Sequence, residues 1–194
     1  MRLFVAMVPP DAALAELDDA VAPLRAARPE LRWTGRMSWH LTLAFLGEVA
    51  EQVLPDLAAR LERAAHRHPP QRLAITGGGA FPSELKAQVL WAGFASDDMA
   101  LGSLAASVAA GARRAGAPPA DQRRKYRPHL TLARCRAAAD LSAITAALAE
   151  FTGTAWTAQS IHLIRSHLSA GPPQYEDLAD WPLQGQPGYS RSST

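Results

Sequence analysis

The pentapeptide His-Leu-Thr-Leu-Ala occupies residues 40–44, within WHLTLAFLG, and recurs at residues 129–133, within PHLTLARCR. Its alternation of polar and apolar side chains has the period of a β-strand, in which successive residues face opposite ways. In the first copy His40 and Thr42 point to one face while Leu41, Leu43 and Phe45 point to the other. In the second, His129 and Thr131 oppose Leu130 and Leu132. The leucines predict burial. A polar face on a strand must be solvated or met by partners. If an approximate two-fold axis relates two lobes, the two polar faces can line one cleft. A single His-x-Thr strand is as readily a polar edge or a satisfied buried histidine; the recurrence is what points to a site.

Strand and helix patterns alternate around these motifs. RLFVAMV (2–8) predicts a buried strand ended by Pro9 and Pro10. A helix is expected from about Asp11, as N-cap, to Arg28, with Leu14, Leu17, Val21 and Leu24 on one face. A second amphipathic helix is expected over 51–68, with Leu54, Leu57 and Leu61 on one side and Pro55 in its first turn. RLAITGGGAF reads as a short strand and a glycine-rich turn, and AQVLWAGF (87–94) as a strand. Helices are predicted over 97–116 and, capped by Asp140, over 140–151. One long strand is expected over 156–169 and a last one within 174–183. The halves have comparable content and meet near residues 95–97, with no low-complexity linker. The expectation is one bilobal domain over 1–185, with two pseudo-symmetric lobes packed on each other. The polar segment 186–194 reads as a flexible tail.

Composition narrows the function little. Hydrophobic residues make up 48% and charged residues 20%, an ordinary globular balance, and the net charge of +2 does not by itself call for a nucleic-acid partner. Lys86 and Lys125 are the only lysines among 20 basic residues. The arginine bias suits phosphate contact but is equally a genome-composition effect. Cys135 stands alone, so no intrachain disulfide can form. No segment is long enough to span a bilayer, and a cytoplasmic enzyme or binding protein is expected.

Two imidazoles facing one cleft suit metal-free phosphodiester chemistry. Neutral and protonated forms coexist near neutral pH, so one ring can take a proton while the other gives one. In-line displacement at phosphorus needs the base behind the attacking oxygen and the acid behind the departing one. Each threonine, about 7 Å along the strand from its histidine, can donate its hydroxyl to a non-bridging phosphate oxygen. On these grounds alone the two histidines are interchangeable.

The pair HLTLAFLG and RPHLTLAR resembles the two signature motifs of the 2H (two-histidine) phosphoesterase family, in its bacterial RNA 2',3'-cyclic phosphodiesterase (2'-5' RNA ligase-like) branch. The segments MRLFVAM, AFPSELKAQVLWAG and LIRSHLSAGPPQYEDLADWPL extend the resemblance along nearly the whole chain. It implies an α+β fold with antiparallel sheets, helices packed outside and a central groove. It implies hydrolysis of an RNA terminal 2',3'-cyclic phosphate to a 2'-phosphate, without a cofactor. By motif position His40 is then the proton donor and His129 the proton acceptor. Thr42, Thr131 and Arg127 bind the phosphate, and Tyr126 offers a base-stacking surface. RNA or a small cyclic nucleotide is the expected partner of a chain acting as a monomer, with no obligatory protein partner. Two alternatives stay open: a family member acting on 2',5'-linked oligonucleotides or another cyclic nucleotide, and a binding module without turnover.

Other features carry less. DQRRKYRP (121–128) is either an RNA-attracting patch or a solvated loop. TGGGAF lacks the Gly-Lys-Ser/Thr ending of a phosphate-binding loop. His66, His68, His162 and His167 invite a metal reading, but no Cys or carboxylate is spaced to complete a zinc site, and none is expected. Trp91, Trp156 and Trp181 read as core.

Overall fold

The computed structural model describes residues 1–96, 98–120, 125–167 and 174–186. The expectations for 121–124 and for most of the tail fall outside them. The chain runs β1 (Arg2–Met7), α1 (Asp11–Ala27), β2 (Arg32–Trp33), β3 (Leu41–Glu48), α2 (Leu54–His66), β4 (Gln71–Phe81) and β5 (Ala87–Ser96). It continues α3 (Asp98–Arg114), β6 (His129–Ala139), α4 (Ser142–Ala149), β7 (Trp156–Ala158), β8 (Ser160–His167) and β9 (Gln174–Pro182). The strands form two antiparallel sheets, ordered β3-β1-β8-β9 and β2-β6-β5-β4-β7. Helices α2 and α3 pack against the first sheet, and α1 and α4 against the second. This is the expected α+β architecture.

The helix faces follow the spacing of their leucines: Leu14, Leu17 and Val21 of α1 and Leu57 and Leu61 of α2 are buried. Asp140 accepts hydrogen bonds from the amide and hydroxyl of Ser142 at 2.9 and 2.7 Å, which tethers the entry to α4.

The sheets do not divide the chain at 95–97. The segments β1-α1-β3-α2-β4 and β5-α3-β6-α4-β8 are two passes through one order of elements. The last strand of each pass leaves its own sheet: β4 pairs with β5, and β8 pairs with β1. The repeat boundary therefore lies between β4 and β5, and the halves are interlocked by exchanged strands. An apolar run such as Leu73–Ile75 signals a strand but not which neighbour it will join, so the exchange is invisible in the sequence.

Two further expectations change for the same reason. The long strand over 156–169 is two strands: β7 belongs to the second sheet and β8 to the first. The chain passes between sheets at Gln159, whose carbonyl accepts from Leu183 N at 2.7 Å. The alternation runs through this switch unbroken. The glycine-rich turn is also absent, because β4 continues through Gly77, Gly78 and Gly79 to Phe81. A bulge there takes Gly77 to a φ of +59°, a conformation that glycine adopts without strain.

One large core joins the two sheets and the helices, with Leu3, Val5, Met7, Leu41, Leu90, Leu130 and Leu132 deeply buried in it. The opposite face of the first sheet carries a separate cluster of Phe4, Ala6 and Ile164, flanked by Phe45 and Tyr175. That second face holds half of the site.

Candidate active site

Each motif strand buries its leucines in the core and leaves its histidine and threonine on the other side. His40 directly precedes β3, where Leu41 pairs with Met7 and Thr42 with Ala6 of β1. His129 opens β6 opposite Gly93, and Thr131 lies opposite Trp91 of β5. Among the described residues, neither threonine hydroxyl is tied to a protein group, so both are available as donors to an oxyanion.

The two imidazoles have different surroundings. His40 stacks on Phe4, with ring centroids 4.5 Å apart and an interplanar angle of 26°. The Tyr175 ring meets it edge-on at 5.2 Å. Among the described residues no group hydrogen-bonds its ring nitrogens. His129 is held by chemistry instead of by packing alone: its Nδ1 is 2.8 Å from the Arg127 carbonyl oxygen. A carbonyl only accepts, so Nδ1 carries the hydrogen and Nε2 of the neutral ring keeps its lone pair. Phe81 meets the ring edge-on at 5.0 Å.

Burial pushes the His40 pKa down to about 4, and the charge of His129 pushes the same way. The motif strands β3 and β6 are also in direct contact. The His129 pKa is also lowered, first by burial; the Arg127 carbonyl opposes the shift, and the Arg127 and Arg134 charges reinforce it. The guanidinium charges of Arg127 and Arg134 thus lie beside His129. Negative charge between the rings favours their protonated forms and reverses the shift.

The neighbouring residues explain how the site is built. Trp39, next to His40 and buried, donates its indole N–H to the Thr34 hydroxyl at 3.0 Å. Thr34 in turn donates to the Thr131 and Leu132 carbonyls, at 2.7 and 2.9 Å. A single hydroxyl thus bridges the two motifs. Trp91 is not a core residue of the kind expected. It lies opposite Gly79, where a Cβ would run into the indole ring. Gly79 therefore seats Trp91, which with Phe81 meets His129 edge-on. An aromatic residue paired with a glycine run was the available signal for this. For Thr34 there was none.

Arg127 is exposed, and its guanidinium carbon lies 5.0 Å from the Trp91 ring centroid and 5.8 Å from that of Phe81. Tyr126 differs from the expectation of a stacking surface: its ring packs against the main core and its hydroxyl is buried. Aromatic surface at the site comes instead from Phe4, Tyr175, Phe81 and Trp91. Among the described residues no three His, Cys, Asp or Glu side chains converge as metal ligands, and no helix is long and apolar enough to cross a membrane.

Residues 9–170 match the model of the 2'-5' RNA ligase superfamily. The chain belongs to that superfamily. Among its relatives, an RNA 2',3'-cyclic phosphodiesterase of Thermus thermophilus is 33% identical, over 97% of this chain and 93% of the relative. One from Aeropyrum pernix is 30% identical over 85% of this chain and 92% of the relative. The crystal structure of TT0787 of Thermus thermophilus superposes with a TM-score of 0.75 at 31% identity, covering 96% of this chain and 100% of that one. That of E. coli LigT complexed with 3'-AMP gives 0.72 at 26% identity, covering 94% and 97%. The two solved structures share the fold over nearly the whole chain.

Proposed function

We propose that this superfamily member is an RNA 2',3'-cyclic phosphodiesterase, opening a terminal cyclic phosphate to a 2'-phosphate and a free 3'-hydroxyl. The observation that carries the reading is the twin His-x-Thr strands, which Thr34 and the Trp39 indole tie to each other across the two sheets. Relatives named for this activity support it. Nε2 of His129, with its lone pair free, takes a proton from water as the water oxygen attacks phosphorus. His40, charged once the anionic phosphate has raised its pKa, gives its proton to the departing 3'-oxygen. Bond formation and cleavage then balance with no residual charge on the leaving group. Thr42 and Thr131 donate to the non-bridging oxygens, and Arg127 offsets their charge.

Water, acid and base suffice for this step, so full activity is expected in a chelator. One chain supplies both motifs, which favours a monomer working without a protein partner, and a cytoplasmic setting suits its single unpaired cysteine. The test is incubation with an oligoribonucleotide ending in a 2',3'-cyclic phosphate and identification of the hydroxyl that keeps the phosphate. A 2'-phosphate from the parent chain, lost in His40→Ala and His129→Ala, is the expected result; undiminished turnover in both variants overturns it.

A further inference from the structure

Beyond Thr131, β6 carries a feature that fold stability does not require. The pairing of β6 with β5 shifts between Leu90, opposite Ala133, and Trp91, opposite Thr131, so Leu132 is an extra residue in a bulge. The bulge matters because a strand otherwise alternates strictly. Without it, Arg134 would fall on the core side with Leu130 and Leu132. With it, Arg134 lies opposite Val89, on the face that also carries Trp91 and Thr131. The pairing shifts again between Val89 and Ala87; Arg136, two residues beyond Arg134, is exposed and lines the same cleft, and Arg32 of β2 is paired directly with Arg134.

Like charges placed opposite each other in a sheet are unfavourable. Among the described residues, none of the three arginines has a carboxylate partner. They line a cleft of about 340 Å³ together with Gln88 and Val89. Arg134 and Arg136 follow the histidine and threonine of the second motif along β6. Their planar guanidinium forks suit phosphate oxygens.

We propose that Arg32, Arg134 and Arg136 form a phosphodiester-binding tract for the linkages on the 5' side of the terminal cyclic phosphate, which makes an oligoribonucleotide end, not a mononucleotide, the preferred substrate. The proposal rests on the reading of the adjacent groove as the site of an RNA end. A cyclic phosphate sits at the 3' terminus, so the remainder of the strand must leave the groove from the 5' side, and this tract is the cationic surface continuous with His129 and Thr131.

The test compares an oligoribonucleotide ending in a 2',3'-cyclic phosphate with 2',3'-cyclic AMP, in the native chain and in the double variant Arg32→Gln, Arg136→Gln. The native ratio of kcat/KM, oligonucleotide to mononucleotide, is expected to fall at least ten-fold in the variant. An unchanged ratio overturns the tract. Fluorescence anisotropy with a labelled oligoribonucleotide bearing a 2'-phosphate reads the tract independently of turnover. The slope of log affinity against log salt should become shallower by about 1.4, at about 0.7 per lost single-strand contact. An unchanged slope also overturns it. If neither substrate is hydrolysed by the native chain, the activity reading fails and the salt slope still decides the tract. Replacing Arg136→Gln by Arg136→Lys in the double variant, which keeps the charge at that position, should restore about half of the lost slope.

Discussion

The two motif strands are identical over five residues and opposite in how they hold their histidines. On the first sheet, His40 is clasped by Phe4 and Tyr175, with burial as the main influence on its titration. On the second, His129 is fixed by the Arg127 carbonyl; burial again leads in lowering its pKa, that carbonyl opposes it, and the Arg127 and Arg134 charges add to it. The pentapeptide supplies chemistry that is symmetric between donor and acceptor; the flanking residues remove the symmetry. A ring whose tautomer is set by a backbone carbonyl presents a lone pair at a defined atom. A ring held by aromatic faces is free to be charged when an anion arrives.

The largest effect should come from a substrate that needs no proton donor. With an RNA cyclic phosphate, His40→Ala and His129→Ala should each lose on the order of a thousand-fold in kcat. With a nitrophenyl phosphodiester, whose leaving group departs as a stable anion, His40→Ala should recover to within about ten-fold of the native rate. His129→Ala should not recover. Equal behaviour of the two variants on the aryl ester would break the assigned asymmetry.

A second difference lies in stability against pH. The folded His40 pKa of about 4 lies below its unfolded value near 6.5. Folding therefore disfavours the proton: the penalty is absent above the unfolded value, grows as pH falls, and is complete below the folded one. His40→Gln removes a penalty of up to about 3 kcal/mol at pH 4. Denaturant titrations at pH 7 and pH 4 should show the variant losing less stability than the native chain over this window. His129→Gln should give a smaller change, because the Arg127 carbonyl favours its charged form.

The threonines sharpen the comparison by being alike. Thr42→Val and Thr131→Val should each lower kcat about ten- to hundred-fold with fold intact; a loss confined to one of them would mean that only one strand touches the phosphate. Smallest is the bridge between the motifs. Thr34→Val leaves the Trp39 indole N–H buried without its acceptor and should cost about 1 to 2 kcal/mol in thermal unfolding. An unchanged melting temperature would show that Thr34 is not the link.

What could be seen in the sequence was what period and repetition encode. His40, Thr42, His129 and Thr131 were placed on strand faces by alternation alone, and helix faces by leucine spacing. Partner choice was not encoded in any local pattern: the exchange of β4 and β8 between sheets, and the passage at Gln159, leave periodicity untouched. The glycines of β4 looked like a turn, yet Gly79 yields space to the Trp91 ring and Gly78 to the Leu148 side chain, both on other elements. Tyr126 looked like a base platform because it adjoins Arg127, yet its ring packs against the main core. The bulge at Leu132 was hidden too, and with it the face on which Arg134 emerges.

The central claim is that one phosphate group engages both imidazoles. Its most direct test follows the Cε1–H resonances of His40 and His129 by NMR through a pH titration, free and with one equivalent of adenosine 2'-monophosphate. The account predicts low pKa values for both rings in the free protein and a rise of both on binding the single ligand. A rise at one ring with the other unmoved would contradict it.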